Sequence, residues 1–203
     1  MPIRLTTLTV LEACIRERAA HATRPFIVAV DGRSGAGKST LAGVLAELLD
    51  AAVIDGDDFY AGGTRLREDD VAQRAAACID WTRQRAVLDA LRAGRDGVWR
   101  AFDWDAFDGS LCVQPTVLAP SRVVILEGVY AARPELAALV DLTVLVTIED
   151  GPRLARLLAR EGHIGPWERQ WHEAERHYFE HVMPARAFDV IVDGGASEQR
   201  AAT

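Results

Sequence analysis

The sequence is poor in cysteine, has no excess of basic residues and contains no long apolar run, and each shortage excludes a class of protein. Its three cysteines, Cys14, Cys78 and Cys112, are scattered and odd in number. They are therefore read as reduced thiols and fit neither a disulfide framework nor a zinc pattern. Asp and Glu total 30 against 23 Lys and Arg, a net charge of −7. This balance argues against nucleic acid or an anionic membrane as the main partner.

Membrane and export signals are absent as well. No apolar run approaches the roughly twenty residues that a membrane span needs, and the N-terminus lacks the basic start and apolar block of a secretory signal. We therefore expect a cytoplasmic protein with no membrane contact. A length of 203 residues suits one α/β domain with a sizeable core. The sequence does not determine the oligomeric state, and a homodimer is among the alternatives.

The most informative stretch is a buried strand, a glycine-rich loop and a helix in direct succession. Residues 26–31 form the apolar strand, and the octapeptide after it fits G-x-x-x-x-G-K-[ST], with Gly32, Gly37, Lys38 and Ser39 on the fixed positions. Apolar residues then recur on one helix face: Leu41, Val44, Leu45, Leu48 and Leu49. Because both flanks are correct, a nucleotide-binding loop is favoured over an ordinary glycine-rich turn.

The chemistry of phosphate explains this pattern. Phosphate oxygens need donors from several directions, and a chain rich in glycine can curl its N–H groups around them. The helix that begins near Lys38 adds the positive end of its dipole. We expect Lys38 to reach the β- and γ-phosphates of ATP, and Ser39 to hold Mg²⁺ through its hydroxyl. The predicted nucleotide contacts are the loop residues Gly32, Ser34, Gly35, Ala36, Gly37, Lys38, Ser39 and Thr40.

The rest of the chain alternates strands with helices, which predicts a parallel sheet covered on both faces. The fold class is α/β: a P-loop NTPase three-layer fold with a mostly parallel five-stranded sheet. Helices are predicted over residues 5–20, 71–93 and 166–182, and an antiparallel hairpin over 98–104 and 113–118. We divide the single domain into an N-terminal helix (1–22), a hairpin substrate lobe (95–119), a short helical lid (150–166) and a tail (196–203).

Acidic residues follow the predicted strands at the carboxyl edge, where ligands gather in parallel α/β sheets: Asp31, Asp55, Asp57, Asp58 and Glu127. Phosphoryl transfer to a hydroxyl needs a carboxylate that orients and deprotonates the hydroxyl, together with acidic help in holding Mg²⁺. We assign the first task to Asp57 and the second to Glu127. The alternative is that these carboxylates cap turns, which is the more ordinary role for Asp31 or Asp55 taken singly.

Three arginines share one face of the helix predicted after residue 150, because they lie at i, i+3 and i+7: Arg153, Arg156 and Arg160. They could clamp phosphates during transfer. We assign a catalytic role to Arg156 and nucleotide contacts to the other two, with a solvated basic face as the alternative. A stripe of aromatic residues in the next predicted helix is more typical of core packing than of ligand stacking: Trp167, Trp171 and Tyr178.

These residues resemble the uridine kinase-like branch of the P-loop kinases, close to phosphoribulokinase and pantothenate kinase, over most of the chain. Asp57-Asp58-Phe59-Tyr60 is similar to the D-x-[FY]-Y segment of that family, whose leading Asp is the base toward the acceptor hydroxyl. Ile79-Asp80-Trp81 stands where the family has Phe-Asp-His, whose Asp binds ribose hydroxyls. Phe102-Asp103-Trp104 resembles the Tyr-Asp-Phe of the hairpin, and Glu127-Gly128 matches the Glu-Gly after the third strand.

The departures from the family pattern concern the acceptor. Members that use pyrimidine nucleosides carry a His a few residues beyond the Tyr-Asp-Phe, where Phe107 stands here. Aromatic faces can stack on a ring, but they cannot tell a carbonyl from an amine. We therefore expect an ATP-dependent kinase of a small hydroxylated metabolite, with weak activity on uridine and cytidine. The expected substrate contacts are Asp57, Tyr60, Asp80, Phe102, Asp103, Trp104 and Phe107.

Three alternatives stay open at this point. A GTPase switch would need an N-K-x-D segment, which the sequence lacks. A nucleotide-binding protein without catalysis would leave Asp57, Glu127 and the arginine face without a common purpose. A true uridine or cytidine kinase would need a shifted base-reading residue, for which His163 and His172 are the candidates.

Overall fold

A six-stranded parallel sheet forms the centre of the computed structural model, which describes residues 3–5 by their backbone and residues 7–195 in full. Its strands are β1 (Ile3–Leu5), β2 (Phe26–Asp31), β3 (Ala52–Asp55), β6 (Val123–Glu127), β7 (Leu142–Thr147) and β8 (Val190–Asp193). Their order across the sheet is β1-β8-β7-β2-β6-β3, and every neighbouring pair is parallel. The predicted P-loop fold and its five strands are confirmed, and β1 extends the sheet by one strand.

Helices cover both faces of this sheet. They are α1 (Leu8–Ala20), α2 (Lys38–Leu49), α3 (Val71–Ala77), α4 (Trp81–Arg92), α5 (Asp150–Glu161) and α6 (Pro166–His177), which continues as a π-helical turn, Tyr178–Val182. Strand β2 is buried along its whole length. Val28 and Val30 pack with α1 and α2 on one face, and Ile27 and Ala29 pack with α4 on the other. None of the described helices is long and apolar enough to cross a membrane.

The helix predicted over residues 71–93 is wrong, because the chain breaks it at residues 78–80. Ile79 forms an isolated antiparallel bridge with Tyr60, which pulls the backbone out of helical geometry. Asp80 then starts α4 as its N-cap, since its Oδ1 accepts a hydrogen bond of 3.1 Å from the Arg83 N–H. The predicted C-terminal end of this helical segment is observed: Gly94 follows α4 with φ of +72°.

The predicted termini and hairpin also change in their bounds. The first helix begins at Leu8 rather than residue 5, because Thr7 is its N-cap and accepts from the Val10 N–H at 3.3 Å. The hairpin has two short strands, β4 (Gly97–Trp99) and β5 (Thr116–Leu118), with a further bridge between Phe102 and Leu111. The tail predicted over residues 196–203 lies outside the described residues.

A fully buried carboxylate joins β2 to the segment that follows β6. Asp31 Oδ1 accepts from the N–H groups of Gly32 (2.8 Å) and Tyr130 (3.1 Å), while Oδ2 accepts from the Ala132 N–H (3.0 Å) and the Tyr178 hydroxyl (2.9 Å). Burial raises the pKa of Asp31 to about 6, and these donors oppose the rise. The ordinary structural role that was the alternative for Asp31 is therefore the observed one.

Asp31→Asn should lower the free energy of unfolding by about 1–3 kcal/mol, because an amide NH₂ would face N–H donors and leave one of them unsatisfied. Urea unfolding at pH 7.5 measures this change. The exposed Asp96→Asn is the matched control and should have little effect. An Asp31→Asn protein as stable as the wild type would contradict the structural role.

Candidate active site

The glycine-rich loop folds closely over the carboxyl end of β2. Gly32 has φ of +154°, and a Cβ atom there would lie 2.4 Å from the carbonyl oxygen of Val146. Any other residue would therefore force the loop away from β7. Helix α2 begins at Lys38 directly after Gly37, whose φ is +99°. The Lys38 ammonium turns back into the loop, 3.4 Å from the carbonyl oxygen of Arg33. This loop has the curled form that phosphate binding requires.

A cleft of about 260 Å³ opens over the loop. We call it the phosphate-loop cleft. It is lined by Ser34, Gly35, Gly37, Lys38, Ser39, Thr40, Asp57, Glu127, Val129, Arg156, Leu157 and Arg160. Most of the predicted nucleotide and metal residues thus meet in one place. The exceptions are Gly32, which shapes the turn, Ala36, which is buried in the core, and Arg153.

Glu127 is placed as a magnesium-site residue would be. Its side chain is only 6% exposed, and it accepts a hydrogen bond from Ser39. Burial raises its pKa to about 7, against the influence of Lys38. Among the described residues no group of three or more His, Cys, Asp or Glu side chains is arranged to hold a metal. An ion here would therefore depend on Ser39, Glu127, phosphate oxygens and water, which is typical of Mg²⁺ bound with a nucleotide.

The three arginines of α5 do not act as one face. Arg153 is 4% exposed, donates to Asp150 (3.0 Å) and to the carbonyl oxygen of Ser34 (3.3 Å), and does not line the cleft. In this placement the side chain supports the loop through the Ser34 carbonyl, and its contact with a phosphate stays a prediction. Arg156 lies 3.4 Å from the Gly35 carbonyl oxygen and lines the cleft. Arg160 is more exposed and lies at the cleft mouth.

Asp57 lies where the phosphate-loop cleft meets a second cleft of about 380 Å³. Its side chain is accessible from the clefts, yet withdrawal from bulk water raises its pKa to about 6, and the Lys38 ammonium opposes that rise. Asp58, its neighbour, instead accepts from the Trp99 indole at 2.7 Å. Within the acidic cluster, Asp57 is thus the member that faces both clefts with a tuned carboxylate.

The second cleft, which we call the aromatic cleft, is lined by Ser34, Asp55, Asp57, Trp104, Arg160, Glu161, Trp167, Glu168, Trp171 and His172. Trp104 comes from the hairpin, whereas Trp167 and Trp171 stack on each other along α6, 6.1 Å apart. Behind them, Tyr60 and Phe107 each contact both Trp104 and Trp167. Three indoles thus form the walls of a pocket that suits a flat ring.

The other predicted substrate contacts have mostly structural partners. Tyr60 and Phe102 are buried behind the indoles, with ring centroids 5.0 Å apart. Asp80 caps α4, and Asp103 Oδ1 accepts from the N–H groups of Asp105 and Ala106. Neither carboxylate is among the residues that line the two clefts. The structure therefore brings Asp57 and Trp104 to the aromatic cleft and packs the rings of Tyr60, Phe102 and Phe107 against Trp104.

Sequence reasoning named His172 only as an alternative base-reading residue and missed the other contributions of α6. Tyr178 is core, as the stripe suggested, but Trp167 and Trp171 are half-buried cleft walls, and His172 lines the same cleft. Glu175, one turn on from Trp171, is completely buried against the loop. A buried glutamate carries no local sequence signal. The proximity of Trp171 and His172 to the loop could be recognised only from the tertiary fold.

Comparison with known proteins agrees with this geometry. The model of the Phosphoribulokinase / Uridine kinase family matches residues 27–164. A uridine kinase from Deinococcus deserti is 28% identical over 199 residues, covering 88% of this chain and 92% of that protein.

Two solved structures share the fold. A structure described as a possible uridine kinase from Bacillus stearothermophilus has a TM-score of 0.67 at 20% identity and covers 92% of this chain and 97% of its own. A D-glycerate 3-kinase from Cryptococcus neoformans var. grubii has a TM-score of 0.65 at 16% identity, covering 93% and 96%. With the matched family model and the loop geometry, the conclusion follows: this chain belongs to the Phosphoribulokinase / Uridine kinase family and is an ATP-dependent small-molecule kinase, as the sequence predicted.

Proposed function

We propose that the protein transfers the γ-phosphate of ATP to a hydroxyl of a small neutral or cationic metabolite that carries a flat ring. The observation that supports this most is the position of Asp57, which lines both clefts. An acceptor in the aromatic cleft would place its hydroxyl near Asp57, beside a nucleotide in the phosphate-loop cleft. A carboxylate at this boundary can serve transfer between two substrates.

The reaction assigns one task to each group. Asp57 would accept the proton of the acceptor hydroxyl, whose oxygen then attacks the γ-phosphorus as the bond to the β-phosphate oxygen breaks. Lys38, Arg156 and Arg160 would offset the negative charge on the transferring group. Mg²⁺, held by Ser39 and Glu127, would supply further charge neutralisation at the phosphates.

The charges in the aromatic cleft support the choice of acceptor. Four carboxylates line it, against the single guanidinium of Arg160: Asp55, Asp57, Glu161 and Glu168. An anionic acceptor such as glycerate would meet like charges there, and like charges at short range cost free energy in a partly desolvated site. The indoles instead favour a flat ring, and they also attract a positive charge.

A second candidate, a uridine or cytidine kinase, has one observation in its favour. His172 lines the aromatic cleft and could supply the donor or acceptor that a pyrimidine edge requires. It stands on α6 and not on the hairpin, so it would approach the base from the opposite wall. Burying a pyrimidine edge against the indole of Trp104 without such a partner would cost a few kcal/mol.

An acceptor panel should show ADP formation that depends on the acceptor, with uridine and cytidine weak or inactive. The panel would hold neutral, cationic and anionic alcohols with and without a ring, assayed by ADP release with MgATP. Turnover without an acceptor would indicate an NTPase instead.

Efficient use of uridine, with a micromolar KM, would contradict the expected acceptor and favour the second candidate. In that event His172→Phe should abolish uridine turnover while leaving MgADP affinity within about threefold of the wild type. The kinase assignment itself would stand.

Lys38→Ala should lower turnover on the order of a hundredfold or more without unfolding the protein, because it removes a preorganised charge at the transferring group. Steady-state turnover and thermal unfolding measure the two effects, with the exposed Arg95→Ala as control. Lys38 is the only lysine in the sequence. An acyl-phosphate derivative of ATP should therefore acylate the wild type at this side chain, and mass spectrometry should find no such adduct in the variant. Wild-type turnover in Lys38→Ala would contradict the assignment of the glycine-rich loop as the phosphate-binding loop.

Asp57→Asn should reduce kcat far more than ATP affinity, because the base acts on the acceptor. In the wild type, kcat/KM for the acceptor should rise about tenfold per pH unit below pH 6 and level off above it, since the carboxylate must be ionised and its pKa is about 6. This rise should be absent in Asp57→Asn. Asp58→Asn is the matched control and should be milder. If Asp58→Asn lowered kcat more than Asp57→Asn, the catalytic base would be Asp58 instead.

A further inference from the structure

We propose that Glu175 couples the two clefts: it is a positioning residue that holds the phosphate loop and the wall of the aromatic cleft on a single carboxylate oxygen. Its Oε1 accepts from the Ser34 N–H at 3.2 Å, from the Ser34 hydroxyl, and from the Trp171 indole N–H at 2.5 Å. The same indole N–H lies 3.1 Å from the Ser34 hydroxyl oxygen. Ser34, Glu175 and Trp171 therefore form one closed hydrogen-bonded group.

The position of this group connects two binding events. Ser34 lines both clefts, and Trp171 lines the aromatic cleft. A nucleotide phosphate entering the loop would compete for the loop N–H groups, and any shift of Ser34 must pass to the Trp171 indole through their shared acceptor. An acceptor molecule stacked on Trp171 would act on Ser34 in the same way, because coupling between two binding sites is reciprocal.

Burial makes the coupling strong. Glu175 is 0% exposed, and within the described part of the chain its second oxygen, Oε2, has no hydrogen-bond partner. The carboxylate therefore depends on the donors at Oε1, since a buried charge without donors is costly. Loosening Ser34 or Trp171 alone would expose that cost, so the two are expected to move together.

A purely structural role for Glu175 would predict something different. In that case its removal would lower stability, while a nucleotide would still affect Trp171 as before. The coupling role predicts that the signal from the loop to Trp171 disappears even though the nucleotide still binds. The proposal rests on the assignment of the phosphate-loop cleft to a nucleotide, so the experiment must measure binding and signal separately.

The test uses the full chain labelled with 5-fluorotryptophan. Calorimetry gives the affinity for MgADP, and ¹⁹F NMR follows the five tryptophans. The Trp171 resonance is identified by its loss in Trp171→Phe. MgADP should shift this resonance in the wild type. In Glu175→Ala, MgADP should bind about three- to tenfold more weakly, and at saturation the Trp171 shift should be absent.

Two further variants distinguish the coupling role of Glu175 from a purely structural role. Glu175→Gln should restore most of the shift, because its amide oxygen can still accept from Ser34 and Trp171. Glu173→Ala is the matched control on the exposed side of α6, where its partner is Arg74, and should behave as wild type. Should Glu175→Ala fail to fold, Ser34→Ala takes its place and should reduce the shift while keeping the loop N–H.

The outcomes are distinguishable. A Trp171 shift of wild-type size in saturated Glu175→Ala, or in Ser34→Ala, would overturn the coupling. MgADP binding to the wild type without any Trp171 shift would overturn it too, and would leave the proposed function intact. A wild-type protein that does not bind MgADP would overturn both.

Discussion

The ammonium group of Lys38 provides a positive charge close to the carboxylates of the candidate site. It lowers the pKa values of Asp31, Asp57 and Glu127, each of which burial raises. Without that charge, the three acids would hold their protons more tightly. The turn of the glycine-rich loop directs this ammonium into the phosphate-loop cleft, which Asp57 and Glu127 also line. The geometry of the glycine-rich loop therefore affects the pKa values of these carboxylates.

The close packing of backbones at the carboxyl edge of the sheet supports that arrangement. Gly32 sits against β7, and a Cβ atom on Gly56 would lie 2.7 Å from the carbonyl oxygen of Glu127. Loops from β2, β3 and β6 consequently approach one another closely enough to bring Lys38, Asp57 and Glu127 to one cleft. Asp31 fixes the segment after β6 through N–H groups from two of its residues. The buried Asp31 thus holds in place the segment that follows β6, whose last residue is Glu127.

What the sequence could predict was local or followed from topology. The phosphate loop is one contiguous motif, and residues such as Asp57 and Glu127 follow strands whose ends must meet in a parallel sheet. The break at residues 78–80 was missed because it is set by a tertiary bridge to Tyr60, while the apolar pattern stays continuous across it.

Arg153 shows the limit of helical spacing. By spacing it shares a helix face with Arg156 and Arg160, yet Arg153 is buried against the loop, Arg156 is half-buried and Arg160 is exposed. Helical spacing alone predicts neither the burial of Arg153 nor the exposure of Arg160. The same limit applies to Trp167 and Trp171. An aromatic stripe on a helix has the same spacing whether it packs into the core or lines a cleft, and only the tertiary structure distinguishes the two.

The walls of the aromatic cleft also bear on the proposed acceptor. The hairpin supplies Trp104 and α6 supplies Trp167 and Trp171, and four carboxylates and Arg160 line the same cleft. A flat ring can stack there at little cost, whereas each polar edge group needs a hydrogen-bond partner. His172 is the one imidazole among the side chains that line the cleft. One histidine can satisfy part of a pyrimidine edge and not all of it. Under the proposed function, we therefore expect the acceptor to be selected more by shape and charge than by hydrogen bonds, which would favour a ring with few polar edge groups over uracil or cytosine.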